Sequence, residues 1–226
     1  MAPCSAALIK VFGSTDMLEI CHIVEVEPWT SSVDAVVFDL DDTLYAEKDY
    51  VRSGYAAVAK EFPEIPCMEQ KLWKVFVNGG KAIDQVLSDA GLMTEENHAR
   101  ALHAYRFHRP TIELYVGAAE MLSRLRKKGK KIGIITDGRP EGQRAKLDAL
   151  RLRFFVDEII ITDELGGVEF RKPNETAFRI MRERLNVPFE KMMYVGDNLK
   201  KDFVAPQALG MQCCYHRAPD GLYTRS

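Results

Sequence analysis

Short apolar runs alternate with amphipathic segments along most of the chain. Five runs have the length and the β-branched, apolar character of buried strands: Val33–Leu40, Lys131–Thr136, Glu158–Thr162, Met192–Val195 and Met211–Tyr215. Segments with the apolar spacing of helices lie between the later runs: Ala118–Lys128, Glu141–Leu150, Asn174–Leu185 and Leu199–Leu209. Buried strands that alternate with helices predict an α/β fold, with a parallel sheet covered on both faces. In such folds, ligands bind at the carboxyl ends of the strands.

Residues 46–114 interrupt this alternation. Their pattern predicts four helices separated by proline and glycine breakers: Lys48–Phe62, Glu69–Val77, Lys81–Leu92 and Glu95–Phe107. A block of about 70 residues is too long for one crossover between neighbouring strands. We therefore expect a separate helical subdomain, inserted into a core formed by residues 33–45 and 115–226.

Residues 1–32 precede the first predicted core strand as an N-terminal extension of unknown role. Ala7–Phe12 and Ile20–Val26 are candidate strands, and nothing catalytic is visible in either. The extension is either a docking hairpin, through which the protein associates with a partner, or the remnant of a longer polypeptide.

Composition and charge narrow the classes of partner. Apolar residues make up 46% of the 226 residues, and 31 basic against 33 acidic side chains give a net charge of −2. A near-neutral chain has no electrostatic footprint for nucleic acid or an anionic membrane. We therefore expect neither as a partner, and no apolar run approaches the roughly 18 residues of a membrane span.

The cysteine usage and the N-terminus favour a cytoplasmic protein. Five scattered cysteines without a C-x-x-C pair predict neither a disulfide framework nor a zinc site. The N-terminal residues lack the pattern of a secretory signal. We expect reduced cysteines and a cytoplasmic location.

Acidic residues directly follow the first apolar run, in Asp39-Leu40-Asp41-Asp42-Thr43. At an extended strand end the side chains of Asp39 and Asp41 point to the same side, so their carboxylates crowd together. Two unpaired buried carboxylates repel each other and indicate a bound cation or a shared proton. Taken alone, aspartates here are also typical of turns, which is our interpretation of Asp42. We expect Thr43 to hydrogen-bond within the turn after the strand.

Three further motifs lie at the ends of later apolar runs: Thr136-Asp137-Gly138, Arg171-Lys172-Pro173, and Gly196-Asp197-Asn198 with Asp202. Each alone has an ordinary structural interpretation, as a turn, an exposed lysine before a helix, a loop aspartate or a helix-surface aspartate. Their combined position at strand ends favours a common site.

The four motifs, in this order, resemble those of the haloacid dehalogenase-like (HAD) hydrolase superfamily, in the subgroup with a helical cap inserted after the first motif. The resemblance covers about Val33–Tyr215. It implies a Rossmann-like core with helices on both faces, and a cap formed by residues 46–114 that folds over the site. Glu175 stands where the family commonly has a second proline, and Pro206 stands where many relatives have a small residue.

The resemblance also implies a Mg²⁺-dependent phosphatase that acts on a small phosphorylated metabolite. Asp39 would be the nucleophile that forms an aspartyl-phosphate, and Asp41 the general acid and base. Asp39, the main-chain carbonyl of Asp41 and Asp197 would bind Mg²⁺, with Asp202 orienting the metal's water shell.

The phosphoryl oxygens would be held by residues of the second and third motifs. Lys172 would balance the charge on Asp39 and on these oxygens, and Thr136 with the backbone N–H groups of Asp137 and Gly138 would bind the same oxygens.

Several alternatives stay open. A phosphotransferase or sugar-phosphate mutase of the same fold keeps both aspartates, and the chain is also compatible with a domain that acts within a larger multidomain protein. A dehalogenase is disfavoured, because that branch lacks the second aspartate and Asp41 is present. Arg52, Arg106 and Arg109 of the helical block either reach a distal group of the substrate or solvate a helix face.

Overall fold

The computed structural model describes residues 7–11, 15–218 and 221–222. Strands and helices form its framework. The strands are β1 (Ala7–Val11), β2 (Thr15–Ile20), β3 (Ala35–Phe38), β4 (Lys131–Thr136), β5 (Glu158–Ile161), β6 (Met192–Gly196) and β7 (Gln212–His216). The α-helices are α1 (Glu47–Glu61), α2 (Met68–Val77), α3 (Ala82–Asp89), α4 (Glu95–Phe107), α5 (Ala118–Lys127), α6 (Pro140–Ala149), α7 (Thr176–Leu185) and α8 (Val204–Ala208).

The strands form one sheet in the order β1-β2-β7-β6-β3-β4-β5. Six of them run parallel, from β2 across to β5, and β1 alone pairs antiparallel, with β2. In β3, Val37 lies opposite Tyr194 of β6 on one side and Gly133 of β4 on the other. The parallel arrangement brings the carboxyl ends of these strands to one edge of the sheet.

Helices cover both faces of this sheet. All four residues of β3 are buried, which requires cover on both sides because alternate side chains point to opposite faces. Val37 packs in one cluster with Phe178 and Met181 of α7 and Ala205 of α8. Val36 points the other way and is equally buried. The predicted Rossmann-like α/β fold is confirmed.

Two predicted elements differ from the structure. The predicted helix Leu199–Leu209 is reduced to α8, because the carboxylate of Asp202 accepts hydrogen bonds from the backbone N–H groups of Asp197 and Asn198 and holds this segment in turns. The candidate strand Ile20–Val26 is wrong: the second strand is β2, and Ile23–Ser32 is a 3₁₀-helix. At the start of this 3₁₀-helix, the carboxylate of Glu25 accepts hydrogen bonds from the N–H groups of Cys21 and His22.

The N-terminal strands belong to the core sheet. Leu18 of β2 pairs with Cys214 of β7, so residues 15–20 extend the sheet at one end. The first candidate strand is confirmed over β1, and Phe12 lies outside the described residues.

The chain divides into two compact units, Met1–Glu47 with Glu113–Ser226 (unit 1) and Lys48–Ile112 (unit 2). Unit 1 contains the sheet. Unit 2 is helical and has its own buried core, which includes Val58, Phe62, Leu72 and Leu87.

Two further expectations concern the cysteines and the membrane. Cys67, Cys213 and Cys214 are free, whereas Cys21 is disulfide-bonded, contrary to the expectation of reduced cysteines throughout. The scattered spacing could not show this, because pairing depends on proximity in three dimensions. Among the described residues, every helix is too short or too polar to cross a membrane.

Candidate active site

The four motifs meet at the carboxyl edge of the sheet in unit 1. β3 ends at Phe38, and the N–H of Asp39 still donates to the carbonyl of Val195 on β6 at 2.8 Å. Strand pairing therefore continues into the first motif and fixes the backbone of Asp39. Thr136 ends β4, and Gly196 ends β6 beside Asp197.

Lys172 joins the motifs through its fully buried ammonium group. Its Nζ lies 2.6 Å from Oδ1 of Asp39 and 2.8 Å from Oδ1 of Asp202, and it donates to the hydroxyl of Tyr194 at 3.0 Å. Burial alone would lower the pKa of Lys172, but the two carboxylates outweigh it and hold that pKa well above its ordinary value. Lys172 is therefore a charged lysine, and the exposed pre-helix interpretation is wrong.

Three buried carboxylates cluster beside this lysine. Asp39, Asp197 and Asp202 each offer an oxygen within 4.8 Å of the others. Burial, opposed by Lys172 and reinforced by Asp202, raises the pKa of Asp39 to about 6. Burial together with Asp39 and Asp202 raises the pKa of Asp197 to about 9. Carboxylate oxygens that repel in this way fit a hard divalent cation such as Mg²⁺, whose charge would relieve the repulsion.

Asp202 has a second task in the loop after β6. Its Oδ2 accepts the N–H groups of Asp197 at 3.1 Å and Asn198 at 2.9 Å. A Cβ on Gly196 would lie 2.6 Å from the same oxygen, so this close approach requires glycine. The interpretation of Asp202 as a helix-surface aspartate is wrong, because its side chain is fully buried.

Asp137 supports the site through its side chain. Its Oδ1 accepts the hydroxyl of Thr162 at 2.9 Å and the N–H of Lys172 at 3.1 Å, and its Oδ2 lies 3.2 Å from Nζ of Lys201. The carboxylate thus ties the turn after β4 to two other segments. The neighbouring Thr136 hydroxyl is buried and has no hydrogen-bond partner among the residues that the structure describes.

Asp41 has its own set of donors. Its carboxylate receives hydrogen bonds from Lys146 Nζ at 2.7 Å, from Gln143 Nε2 at 3.0 Å and from the hydroxyl of Tyr45. Burial acts to raise the pKa of Asp41, but Lys146 and the two hydrogen bonds hold it below its ordinary value. Asp41 is an ion-paired carboxylate here, and its side chain is not part of the acidic cluster of Asp39, Asp197 and Asp202.

Sequence reasoning missed Gln143, Lys146, Tyr194 and Lys201. The first two had a visible signal: on α6 they share the spacing of Leu147 and Leu150, so two polar residues occupy the helix's buried stripe. Tyr194 lies within an apolar strand, where a tyrosine is ordinary, and Lys201 lies in a polar loop.

The remaining residues of the first motif are structural. The side chain of Asp42, in a left-handed turn, accepts the N–H of Glu47 at 2.8 Å and that of Leu222 at 2.7 Å, as its turn interpretation predicts. The backbone N–H of Thr43 donates to the carbonyl of Leu40 within the turn at 3.4 Å, as expected, whereas its buried hydroxyl has no partner among the described residues.

The arginines of unit 2 differ in their surroundings. The guanidinium of Arg52 lies 3.9 Å from the centre of the Trp73 ring. Arg52 and Arg109 line one groove of unit 2, and Arg106 is not among its lining residues.

Known proteins match most of this chain. A family model described as a haloacid dehalogenase-like hydrolase matches residues 33–210. A glyceraldehyde 3-phosphate phosphatase of Methanopyrus kandleri is 30% identical over 193 residues, covering 79% of this chain and 82% of the relative. A ribulose-1,5-bisphosphate 5-phosphatase of Halopiger xanaduensis is 29% identical over 202 residues, with coverage of 79% and 82%.

Solved structures show the same fold. A Thermotoga maritima protein provisionally assigned as a β-phosphoglucomutase superposes with a TM-score of 0.61 at 20% identity, covering 81% of this chain and 84% of the other. The 2-haloacid dehalogenase of Pseudomonas syringae superposes with a TM-score of 0.56 at 21% identity, covering 81% of this chain and 86% of the other. The family match spans all four motifs that converge on Lys172, and the chain belongs to the haloacid dehalogenase-like hydrolase family.

Proposed function

We propose that this protein is a Mg²⁺-dependent phosphoric monoester hydrolase that acts on a small phosphorylated metabolite through an aspartyl-phosphate on Asp39. The observation that carries the proposal is the convergence on Lys172, whose ammonium lies 2.6 Å from Asp39 and 2.8 Å from Asp202 beside Asp197. This set combines a buried carboxylate with a fixed cation and with oxygen ligands for a divalent metal.

In the first step, an oxygen of Asp39 attacks phosphorus and the bond from phosphorus to the ester oxygen breaks. The leaving oxygen takes a proton from Asp41, which must first be protonated, because in this structure it is an ion-paired carboxylate. Thr136 and the backbone N–H groups of Asp137 and Gly138 donate to the phosphoryl oxygens, and Lys172 balances their charge.

In the second step, water attacks phosphorus and the bond between phosphorus and Asp39 breaks. Asp41 takes the proton of that water, and the carboxylate of Asp39 is restored. The form of Asp41 in this structure, held by Lys146 and Gln143, is the form that this step needs.

The metal would be held by Asp39, Asp197 and the main-chain carbonyl of Asp41, with Asp202 beside them. When bound, Mg²⁺ supplies positive charge that offsets the repulsion between these carboxylates and the phosphate. At about 4 Å each like-charge pair costs roughly 4 kcal/mol at an effective dielectric constant near 20, so this compensation decides whether a phosphate dianion can enter.

The relatives support a small metabolite as the substrate. Two of them are named as phosphatases of glyceraldehyde 3-phosphate and ribulose-1,5-bisphosphate. A third, at 26% identity over 211 residues, is a pyrimidine 5′-nucleotidase of Escherichia coli. All three names describe small phosphate monoesters, and their diversity leaves the individual substrate of this chain to experiment.

The test is phosphate release from a panel of phosphorylated sugars, nucleotides and organic acids, with Mg²⁺ and with EDTA. We expect hydrolysis of at least one metabolite with Mg²⁺, and none with EDTA. Asp34→Asn, at an exposed position beside β3, is the matched control for Asp39→Asn. Transfer of the phosphoryl group to an added acceptor without phosphate release would favour a phosphotransferase, and full turnover without metal would contradict the proposed metal dependence.

A further inference from the structure

The ammonium of Lys172 is already surrounded by protein oxygens. A lysine ammonium carries three N–H donors and no acceptor. Three oxygens, from Asp39, Asp202 and Tyr194, lie within 3.0 Å of Nζ. Two of these oxygens, of Asp39 and Tyr194, accept hydrogen bonds from the ammonium, and the third forms an ion pair with it, so a phosphoryl oxygen would have to compete with them. Lys172 therefore neutralises the acidic cluster more readily than it binds an additional anion.

A second lysine of the site is differently placed. Lys201 lies in the loop after β6, and its side chain is about two-thirds enclosed, with a relative exposure of 31%. Among the described residues, its ammonium contacts one carboxylate oxygen, Oδ2 of Asp137, at 3.2 Å. This contact occupies one of its three donors, so the others are available to an incoming acceptor.

The strand order places Lys201 at the nucleophile. Lys201 comes from the loop after β6, and its partner Asp137 follows β4. In the sheet, β3 lies between β6 and β4, and Asp39 follows β3. A contact from one side of β3 to the other must pass the carboxyl end of β3. The positive charge of Lys201 accordingly acts on the carboxylate of Asp39.

A buried hydroxyl lies next to the same contact. Thr136 precedes Asp137, is fully buried, and its hydroxyl has no hydrogen-bond partner among the residues that the structure describes. A buried hydroxyl without a partner is costly, and a ligand oxygen at this position would satisfy it. Thr136 ends β4, which pairs with β3, so its hydroxyl and the ammonium of Lys201 are donors carried by the strand ends that flank Asp39. Together they suit an oxyanion.

We propose that Lys201 is a second cationic ligand of the reacting phosphoryl group and binds its oxygens together with the Thr136 hydroxyl, while Lys172 holds the acidic cluster. The proposal rests on the proposed function of this site. It assigns the binding of the phosphate dianion to a lysine outside the Arg171-Lys172-Pro173 motif.

The test measures the binding of inorganic phosphate to the Mg²⁺-loaded full chain by calorimetry, so it needs no turnover. Lys201→Met should raise the Kd for phosphate about ten- to a hundredfold, as expected for loss of a charged hydrogen bond. Lys201→Gln retains a donor for Asp137 without the charge and should show a similar loss. Lys201→Arg should recover part of the affinity. Lys200→Met, at the exposed neighbouring position, is the matched control and should bind like wild type.

Several results would overturn the proposal. An unchanged Kd in Lys201→Gln would show that the charge does not bind phosphate. A second contrary result is that Lys201→Met lowers the melting temperature while Lys201→Gln binds phosphate as tightly as wild type. That combination would show that Lys201 only supports Asp137 structurally. A wild-type protein that binds no phosphate at millimolar concentration would also contradict it. Binding that depends on Lys201 in a protein that hydrolyses no ester would instead contradict the proposed function alone.

Discussion

Asp39 and Asp41 are separated by one residue and have different neighbours. Asp39 is buried against Lys172 and shares an acidic cluster with Asp197 and Asp202. Asp41 is bound by Lys146 and Gln143 of α6. Two carboxylates in different environments are suited to different tasks. The proposed function assigns the nucleophile to Asp39, in the acidic cluster, and the acid and base to Asp41.

Substitution of each aspartate should separate these tasks. Asp39→Asn should abolish activity with every substrate, because no phospho-enzyme can form. Asp41→Asn should hydrolyse alkyl phosphates about 10²–10⁴-fold more slowly than wild type, because their leaving alkoxide needs a proton. An activated aryl phosphate should still phosphorylate Asp39 in this variant. The second step then lacks its base, so an acid-stable, hydroxylamine-sensitive label should accumulate on Asp39.

The measurement compares phosphate release and trapped label for one alkyl and one aryl phosphate, with Asp34→Asn as the control. Equal loss for both substrates in Asp41→Asn, with no label, would show that the two roles are wrongly assigned.

At the scale of elements, the site depends on the segments that follow the strands. Lys172 is carried by the segment after β5, and the adjacent Arg171 forms a two-point ion pair with Asp163, at 2.7 and 2.6 Å. The hydrogen bonds from Arg171 lower the pKa of Asp163. This pair ties the segment that carries Lys172 to the turn directly after β5.

Asp163→Asn should reduce the free energy of unfolding by about 1 kcal/mol near neutral pH, a modest value because Arg171 is partly exposed. Since the folded pKa of Asp163 is lowered, the contribution is present above the unfolded value of about 3.9 and is lost as the pH falls through the folded pKa. In urea denaturation between pH 7 and pH 3, the free energies of unfolding of wild type and Asp163→Asn should therefore converge as the pH falls.

Glu164→Gln is the matched control, because Glu164 and its partner Arg144 are both more exposed, and it should change stability little. A difference between wild type and Asp163→Asn that is constant across this pH range would rule out the ion pair as its cause.

The loop after β6 provides a second test at this scale. Gly196→Ala places a Cβ 2.6 Å from Oδ2 of Asp202 and should displace the carboxylate that pairs with Lys172. We expect a loss of about 1–3 kcal/mol of stability, as for other overpacked sites, together with a large loss of activity in the folded fraction. Thermal melting and phosphate release measure the two effects.

Gly133→Ala is the control, because its Cβ would lie 2.6 Å from Sδ of Met181, a core side chain that is not part of the site. It should lose stability but keep activity per folded molecule. The same activity loss in both variants would show that general destabilisation is responsible.

At the scale of the whole molecule, the binding of a cation should be coupled to the stability of unit 1. Burial with Asp39 and Asp202 raises the pKa of Asp197 to about 9, so this group carries a proton near neutral pH when no cation is bound. A cation that replaces the proton binds the folded state and stabilises it.

Mg²⁺ at about 100 times its Kd should stabilise the wild-type protein by about 2.7 kcal/mol. Asp197→Asn should require much more Mg²⁺ for activity and for stabilisation, while its stability in EDTA should be close to that of wild type. Melting curves with Mg²⁺ and with EDTA measure this, and Asp157→Asn, away from the acidic cluster, is the control. An unchanged Mg²⁺ requirement would remove Asp197 from the proposed ligands.

The chain divides into a sheet unit and a helical unit, with the boundaries at Glu47 and Glu113. The assignment of residues 46–114 to a cap that folds over the site stays a prediction. The specificity role expected of the helical block, a cytoplasmic location and association through the N-terminal residues stay predictions.

The sequence by itself determined most elements of the core and the order of the motifs. β4 (Lys131–Thr136) and α4 (Glu95–Phe107) have the bounds that periodicity predicts. Burial on one face of a helix, or on both faces of a strand, imposes a local pattern of apolar residues that can be recognised without the fold. The carboxyl ends of parallel strands share one edge, so motifs at those ends had to meet there.

Only the tertiary structure decided which groups these residues contact. Asp41 and Lys146 are separated by 105 positions, and Lys201 and Asp137 by 64. Neither pair leaves a periodic pattern in the chain. The pairing of β2 with β7 was equally unpredictable, because these strands lie near opposite ends of the chain and no local pattern links them. Local sequence sets backbone preference and burial, whereas the charge and hydrogen-bond partners of a site depend on which distant segments pack together.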